Sequence, residues 1–358
     1  MHVAIHADPI DNQKAGVHMF TKHLISNLLK IDKKNKYTLI HREENPFFNN
    51  TNHIILKPNS FKGKEVIRKF IKLPYLSNKL NPDIVFEPSY IGPFFIKKGI
   101  KKAVLIHDLT PILTPEFHID KSVRTYKILL PYILNNADLI ITPSETTKSD
   151  IKKYSKTKAL IKVVNPGVYQ KENIVKEKPK TPYILSIGTI EPRKNIPTLI
   201  DSFLELKKEK NIPHKLILVG KIGWKTDEII KKAKSNKDII LKGYLSEQKK
   251  EKLLMNAEIF VYPSFYEGFG MPPMEAMSYG IPTITSNGGS LKEIYENEAL
   301  THDPLDKTTL KNHILKLIEN PELREKISLS HIKFSQKFSW EKSANDLIDA
   351  FQEILKTK

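Results

Sequence analysis

The sequence predicts an α/β chain of two doubly wound, Rossmann-like domains facing across a cleft. Three observations carry that expectation. Short apolar runs rich in β-branched residues alternate with helical stretches along nearly the whole chain, the pattern of parallel sheets. The 358 residues exceed what one hydrophobic core usually holds. The alternation also breaks once, in Tyr169 to Pro182, where Lys and Glu crowd around Pro179 and Pro182 and no apolar period survives; it then restarts.

Taken in order, the first half predicts strands at His2 to His6, Tyr37 to Ile40, His53 to Leu56, Ile84 to Phe86, Ala103 to Ile106, Leu139 to Thr142 and Ile161 to Val164. Amphipathic helices are expected over Val17 to Leu29 and Val123 to Leu134. The second half predicts strands at Tyr183 to Ile187, Lys215 to Val219, Ile239 to Leu241, Ile259 to Tyr262 and Thr283 to Thr285, each followed by a helical segment. Pro321 opens a helix over Glu322 to Lys337. Ser339 is the expected N-cap of a final helix whose stripe is Ala344, Leu347, Ile348, Phe351, Ile354 and Leu355. The division is therefore 1–170, a linker at 171–182, a second domain at 183–338 and a terminal helix at 339–358. Ligands of doubly wound sheets bind at the carboxyl ends of the strands, so the cleft is where a site is expected.

Charge and composition narrow the chemistry. A net charge of +18 and a pI near 9.5 call for a negatively charged partner: nucleic acid, anionic lipid or a phosphorylated substrate. Residues 1–170 carry 27 Lys and Arg against 14 Asp and Glu, so most of the excess lies in the first domain. The absence of Cys excludes disulfides, thiolate metal sites and thiol nucleophiles. With no cleavable leader and no long apolar run, the expectation is a cytoplasmic chain, peripheral at most to the inner face of the cell membrane. Residues 61–73 read as a basic amphipathic helix, with Val66, Ile67, Phe70, Ile71 and Leu73 on one side and Lys64, Arg68 and Lys72 at i, i+4 spacing. It is either a membrane-surface helix or an ordinary domain helix with a solvated Lys face.

The segment richest in chemistry is Ile259 to Ser290. A buried strand ends near Tyr262, a loop carries Glu267-Gly268-Phe269-Gly270, a helix starts near Pro272 and Gly280 ends it. Gly268 and Gly270 allow close backbone approach, and N–H groups at a helix start suit phosphate oxygens. Glu267 on the loop and Glu275 on the helix are placed to face one cavity and suit paired hydroxyls. Arg193 and Lys194 follow a strand at a Pro192 turn, so two cations are expected to converge on phosphates and stabilise a leaving diphosphate. No Asp-X-Asp cluster of metal-ligand character appears, and no metal or cofactor is expected.

These segments resemble the retaining glycosyltransferases of family 4, the GT-B group that includes bacterial mannosyltransferases of surface-glycan assembly. The resemblance rests on the Ile259–Ser290 block, Ile187-Gly188-Thr-Ile-Glu-Pro-Arg-Lys-Asn195, Leu216-Ile-Leu-Val-Gly220, Leu105-Ile-His107-Asp-Leu-Thr-Pro111, Ala137-Asp-Leu-Ile-Ile-Thr-Pro-Ser144 and Asn165-Pro-Gly-Val168, in the family's order. It implies an acceptor-binding domain at 1–170, a donor-binding domain at 183–338 and a terminal helix that crosses back to the first domain. It further implies that Arg193 and Lys194 hold the nucleotide diphosphate and that His107 meets the donor sugar. Gly16 and Gly188 approach the donor, and Gly268, Phe269, Gly270 and Glu275 hold it, Glu275 at the ribose. Glu267 orients the sugar. Around Gly16 the family usually has two glycines followed by Arg-Tyr, whereas this chain has Ala15-Gly-Val-His-Met-Phe. Asp108 is expected to be a structural acceptor. By the same resemblance the reaction is a metal-independent, front-face hexosyl transfer, with a nucleotide-diphosphate sugar, GDP-mannose by preference, as donor and a glycan or lipid-linked acceptor. A GT-B epimerase or phosphorylase is one alternative; a non-catalytic basic protein binding membrane or nucleic acid is another, although no nucleic-acid motif is present.

Overall fold

The structure, a computed structural model, describes residues 1–11, 16–58, 64–170 and 179–357. The first residues of the expected basic helix and most of the expected linker, 171–178, lie outside the described residues. The chain forms two compact units: Met1–Ile112, Asp120–Gly167 and Trp340–Lys358 make the first, and Leu113–Ile119 with Val168–Ser339 make the second.

The first unit holds seven parallel strands: β1 (His2–His6), β2 (Lys36–His41), β3 (His53–Ile55), β4 (Ile84–Glu87), β5 (Lys101–Leu105), β6 (Leu139–Thr142) and β7 (Leu160–Val163), in the order β3-β2-β1-β4-β5-β6-β7. Runs such as Val3-Ala-Ile and Ala103-Val-Leu are buried throughout, as strands covered on both faces must be. The Gly16–Ile31 helix buries Phe20, Leu24, Ile25 and Leu28 at near-helical spacing. The Trp340–Lys356 helix packs within this unit, with Phe351 edge-on to Phe86 at 5.4 Å and Trp340 edge-on to Phe20 at 5.5 Å. The fifth strand starts earlier than the apolar run suggests, because Lys102 donates its backbone N–H to Asp138 while its ammonium lies 3.7 Å from the same carboxylate.

The 61–73 segment departs from expectation in a way that matters. Its described part enters a helix at Lys64 that continues to Leu80, with a π-turn at Arg68–Lys72. Arg68, expected on the solvated face, is 1% exposed: it forms a two-pronged pair with Asp8, its Nη2 reaching Oδ1 at 2.7 Å, and its Nε donates to the Leu56 carbonyl. Lys69 turns toward the buried Glu87 at 3.2 Å. Val66 and Ile71, which an ordinary domain helix would turn inward, are about 60% exposed. The wide π-turn shifts the register, and the carboxylates at the ends of β1 and β4 draw the cations inward because a buried charge must be paired.

The second unit holds β8 (Tyr183–Ile187), β9 (Lys215–Val219), β10 (Ile239–Gly243), β11 (Ile259–Tyr262), β12 (Thr283–Ser286) and β13 (Leu300–His302), all parallel, in the order β10-β9-β8-β11-β12-β13. The winding repeats that of the first unit. The sequence gives no sign of β13, a three-residue Leu-Thr-His strand that pairs with β12. Leu113–Ile119, inside the expected first domain, belongs to this second unit: Phe117 stacks on Phe265 at 4.8 Å, and Trp224 Nε1 donates to the Phe117 carbonyl. The Pro321–Ser335 helix is capped by Asn320, whose side chain accepts from Leu323 N.

Candidate functional site

The carboxyl ends of β8 and β11 carry the densest chemistry of the second unit. After β8 the chain reaches Glu191, makes a single 3₁₀ turn over Pro192–Lys194, and leaves through Asn195 in the left-handed region, φ 52°. Proline sets the turn's first φ, and Asn is among the few residues that tolerate its last. Asn195 is pinned there, donating to the Pro304 carbonyl and accepting from Thr198 Oγ1. After β11, Phe265 N donates to the Arg193 carbonyl, joining the two loops.

That junction brings together three of the expected site residues. Lys194 Nζ donates to Glu267 Oε1 and to the Tyr262 hydroxyl, each at 2.6 Å. Arg193 Nη1 lies 2.9 Å from Glu267 Oε2 and donates to the Tyr266 carbonyl, while Nη2 pairs with Glu191 at 2.8 Å. All four charged residues are at least half-buried, Glu267 at 7% exposed and Lys194 at 8%. Burial alone would raise the Glu267 carboxyl, but the charges of Arg193 and Lys194 outweigh it and hold the group at about 2. Lys194 is lowered by burial and by the Arg193 charge, with Glu267 opposing both. The cluster is thus two cations locked to two carboxylates. Lys194 carries three N–H donors and these bonds use two, which leaves one for an incoming oxygen. Sequence reading missed Glu191 and Tyr262, whose roles depend on the loops meeting.

Glycines surround the cluster. A Cβ at Gly188 would touch the Tyr262 ring at 3.6 Å and the Lys194 stem at 3.7 Å, so the site's floor passes directly beneath it. A Cβ at Gly220 would lie 1.8 Å from the Gly188 carbonyl, and at Gly288 2.1 Å from the Phe265 carbonyl; neither position can carry a side chain. The Gly288-Gly289 turn bridges to Glu267, whose carbonyl accepts from both the backbone and the hydroxyl of Ser290. This clamp on the Glu267 loop was not anticipated either; its sequence signal is the paired glycine after β12.

The remaining expected residues divide. Gly270 caps the Met271–Ser278 helix at φ 83°, its carbonyl accepting from the Tyr295 hydroxyl at 2.6 Å, and Gly268 lies in the same loop. Pro272 and Pro273 remove two N–H groups from this helix's first turn, so the expected helix-start anion site is smaller than supposed. Phe269 turns its ring into the core, edge-on to Phe338 at 5.7 Å, because burying so large an apolar side chain outweighs exposing it; only its backbone remains for a ligand. Glu275 pairs with Lys250 at 3.1 Å, and Lys250 also meets Glu247. Glu267 and Glu275 therefore have separate cation partners.

His107 and Gly16 belong to the first unit. Gly16 opens its helix, exposed, with open space where a Cβ would stand. His107 follows β5, edge-on to Phe20 at 5.2 Å, with Nε2 3.0 Å from the Pro88 carbonyl. A carbonyl only accepts, so Nε2 carries the proton and Nδ1 of the neutral ring presents a lone pair. Burial lowers the His107 pKa, which keeps the ring neutral. Asp108 accepts from Thr110 N and Oγ1, the structural role expected of it. Among the described residues no group of three or more His, Cys, Asp or Glu is arranged to hold a metal ion.

The chain is similar to known proteins over most of its length. The family described as glycosyl transferases group 1 matches residues 169–333, and glycosyltransferase family 4 matches residues 15–171. O-antigen chain mannosyltransferase B of Escherichia coli is 32% identical over 292 residues, covering 74% of each chain. O-antigen chain mannosyltransferase RfbU of Salmonella typhimurium is 30% identical over 228 residues, 62% of each. In fold, the chain is similar to sucrose-phosphate synthase from Thermosynechococcus elongatus, with a TM-score of 0.79 over the full length of both at 17% identity.

Proposed function

Because this chain belongs to glycosyltransferase family 4, we propose that it transfers mannose or a related hexose from a GDP-linked donor to a glycan or lipid-linked acceptor in surface-polysaccharide assembly. The observation that carries this reading is the Lys194–Glu267–Arg193 cluster, set among glycines at the carboxyl ends of β8 and β11. Its donors suit a diphosphate. Lys194 and Arg193 supply charge-assisted donors to the phosphate oxygens, and Glu267, held ionised, fixes both cations while its remaining lone pairs accept hydroxyls of the sugar. Glu275, on the adjoining helix, takes the ribose hydroxyls.

Transfer proceeds with retention. The bond from the anomeric carbon to the phosphate oxygen breaks, the acceptor oxygen bonds to the same face, and the acceptor's proton passes to the departing phosphate. The cations stabilise the charge that builds on that leaving group, which is the work a metal ion performs elsewhere, so no metal or cofactor is required. No carboxylate nucleophile is invoked. Glu87, a buried carboxylate of the first unit, is held by His6, Lys69 and Ser89. His107, with Nδ1 as acceptor, orients a sugar hydroxyl. The mannosyl donor is supported by the O-antigen mannosyltransferases among the relatives.

A thermal-shift panel of GDP, UDP, ADP and TDP with their sugars, followed by assay of the preferred sugar with an undecaprenyl-linked glycan and with EDTA present, tests the reading. GDP and GDP-mannose should stabilise most, and the product should be an α-linked mannoside formed equally well in EDTA. No stabilisation by any nucleotide, or inversion at the anomeric carbon, overturns it.

A further inference from the structure

The first unit exposes large apolar side chains on two helices and a loop, in the region where the sequence suggested a basic amphipathic helix. Ile71 and Tyr75 stand one helical turn apart on the Lys64–Leu80 helix and are 61% and 68% exposed. Three residues on, Asn78 donates to the Phe95 carbonyl and accepts from Lys97 N. These bonds clamp a loop in which Phe95 is held at φ 50°, a left-handed conformation that a non-glycine residue adopts only at a cost, with its ring 59% exposed. The Phe95 ring lies 6.3 Å from that of Tyr132, and one turn before Tyr132 on its helix is Ile128, 72% exposed. Two helices and a clamped loop thus present five large apolar side chains side by side, a surface that a soluble protein rarely leaves bare without use.

The charge beside it is mainly positive. The segments 66–80, 88–107 and 121–137 that build this face contain no Asp or Glu at all. Lys79, Lys97, Lys98, Lys121, Arg124 and Lys127 within them are exposed. The acids of the two helices, Glu65 and Asp120, stand in their first turns, before these segments begin. An apolar face flanked by these cations is complementary to an anionic lipid surface: the aromatic and aliphatic side chains enter the headgroup boundary, and the Lys and Arg heads meet lipid phosphates. Among the described residues no helix is long and apolar enough to cross a membrane, so contact through this face is peripheral.

We propose that Ile71, Tyr75, Phe95, Ile128 and Tyr132 form an interfacial docking surface for an anionic membrane, with the flanking Lys and Arg supplying the charge attraction. The proposal widens the contact from a single amphipathic helix at 61–73 to the apolar side chains that its described part and its neighbours expose. It complements the lipid-linked acceptor of the proposed reaction but does not depend on the donor reading, because vesicle binding needs no nucleotide.

The test is co-sedimentation with phosphatidylcholine vesicles, with and without phosphatidylglycerol. Three proteins are compared: the wild type, the Ile71→Ser/Tyr75→Ser/Ile128→Ser variant and the Lys97→Gln/Lys98→Gln/Lys127→Gln variant, with thermal unfolding and GDP stabilisation measured on each. Wild type should sediment with phosphatidylglycerol vesicles and release at high salt. Each variant should bind at least about tenfold more weakly, with GDP stabilisation unchanged. Wild type that ignores anionic lipid, or an apolar variant that binds as well as wild type, overturns the proposal. Concentration-dependent dimerisation lost in the apolar variant, without vesicle binding, also overturns it and assigns the face to a second copy of the chain.

Discussion

At the end of β1, in the first unit, His6 bridges the buried Glu87 and Ser77, Lys69 joins Glu87, and Arg68 closes over Asp8. At the end of β8, which holds the same place in the second sheet, stands Gly188, with Gly220 against its carbonyl and Gly288-Gly289 supporting the loop beyond. Both sheets wind in the same order, so topology does not make this difference. In the first unit side chains fill the strand ends and satisfy one another. In the second, glycines hold the backbone close, and at the ends of β8 and β11 Arg193 and Lys194 are drawn together around a shared carboxylate, Glu267. Doubly wound sheets offer a crevice at every such end, and what is built into it decides whether a large anionic ligand can enter.

Breaking the backbone side of this contrast should have the largest effect. Gly220→Ala places a methyl group inside the Gly188 carbonyl at a φ of 153° that disfavours side chains, and should abolish the cooperative unfolding transition of the second unit. Gly188→Ala meets only ordinary contacts and should cost less than about 1 kcal/mol in denaturant titration, while weakening GDP binding by obstructing the site's floor. Next come the two buried ion clusters. Glu267→Gln leaves Lys194 and Arg193 without their shared partner and should lose about 3–5 kcal/mol of stability together with GDP stabilisation. Asp8→Asn strands Arg68 in the same way, but should leave the thermal shift with GDP intact.

Acid sharpens the same comparison. Glu267 is held at about 2 against an ordinary 4.5, so its contribution to stability is fully present above pH 4.5 and is lost as pH falls through 4.5 toward 2. That contribution is on the order of 3 kcal/mol. Unfolding measured between pH 5 and pH 3 should therefore show a shallower pH slope in Glu267→Gln than in wild type. The smallest stability effect is expected at Glu275→Ala, whose partner Lys250 keeps Glu247: under about 1 kcal/mol, yet with about tenfold weaker donor binding if the carboxylate meets the ribose.

The sheets were legible in the sequence because parallel strands are buried on both faces, and runs such as Ile259-Phe-Val-Tyr262 admit few other readings. β13 was not, since three residues with one apolar side chain carry no period. Arg193, Lys194 and Glu267 could be singled out from local chemistry, but that one carboxylate locks both cations became visible only when the β8 and β11 loops met. Arg68 was misplaced for the converse reason. A helical wheel assumes regular turns and outward cations, and here a π-turn and two waiting carboxylates, Asp8 and Glu87, defeat both assumptions. Phe269 shows the limit of reading a motif as a unit, since its loop borders the site while its ring serves the core.

The central claim is that the Lys194–Glu267–Arg193 cluster receives a nucleotide diphosphate. Isothermal titration of GDP into wild type and into Arg193→Ala, Lys194→Ala and Asp8→Asn tests it most directly. Saturable one-site binding, weakened at least about tenfold by each of the first two substitutions and unchanged by the third, is the predicted result. GDP affinity that is indifferent to Arg193 and Lys194 would contradict it.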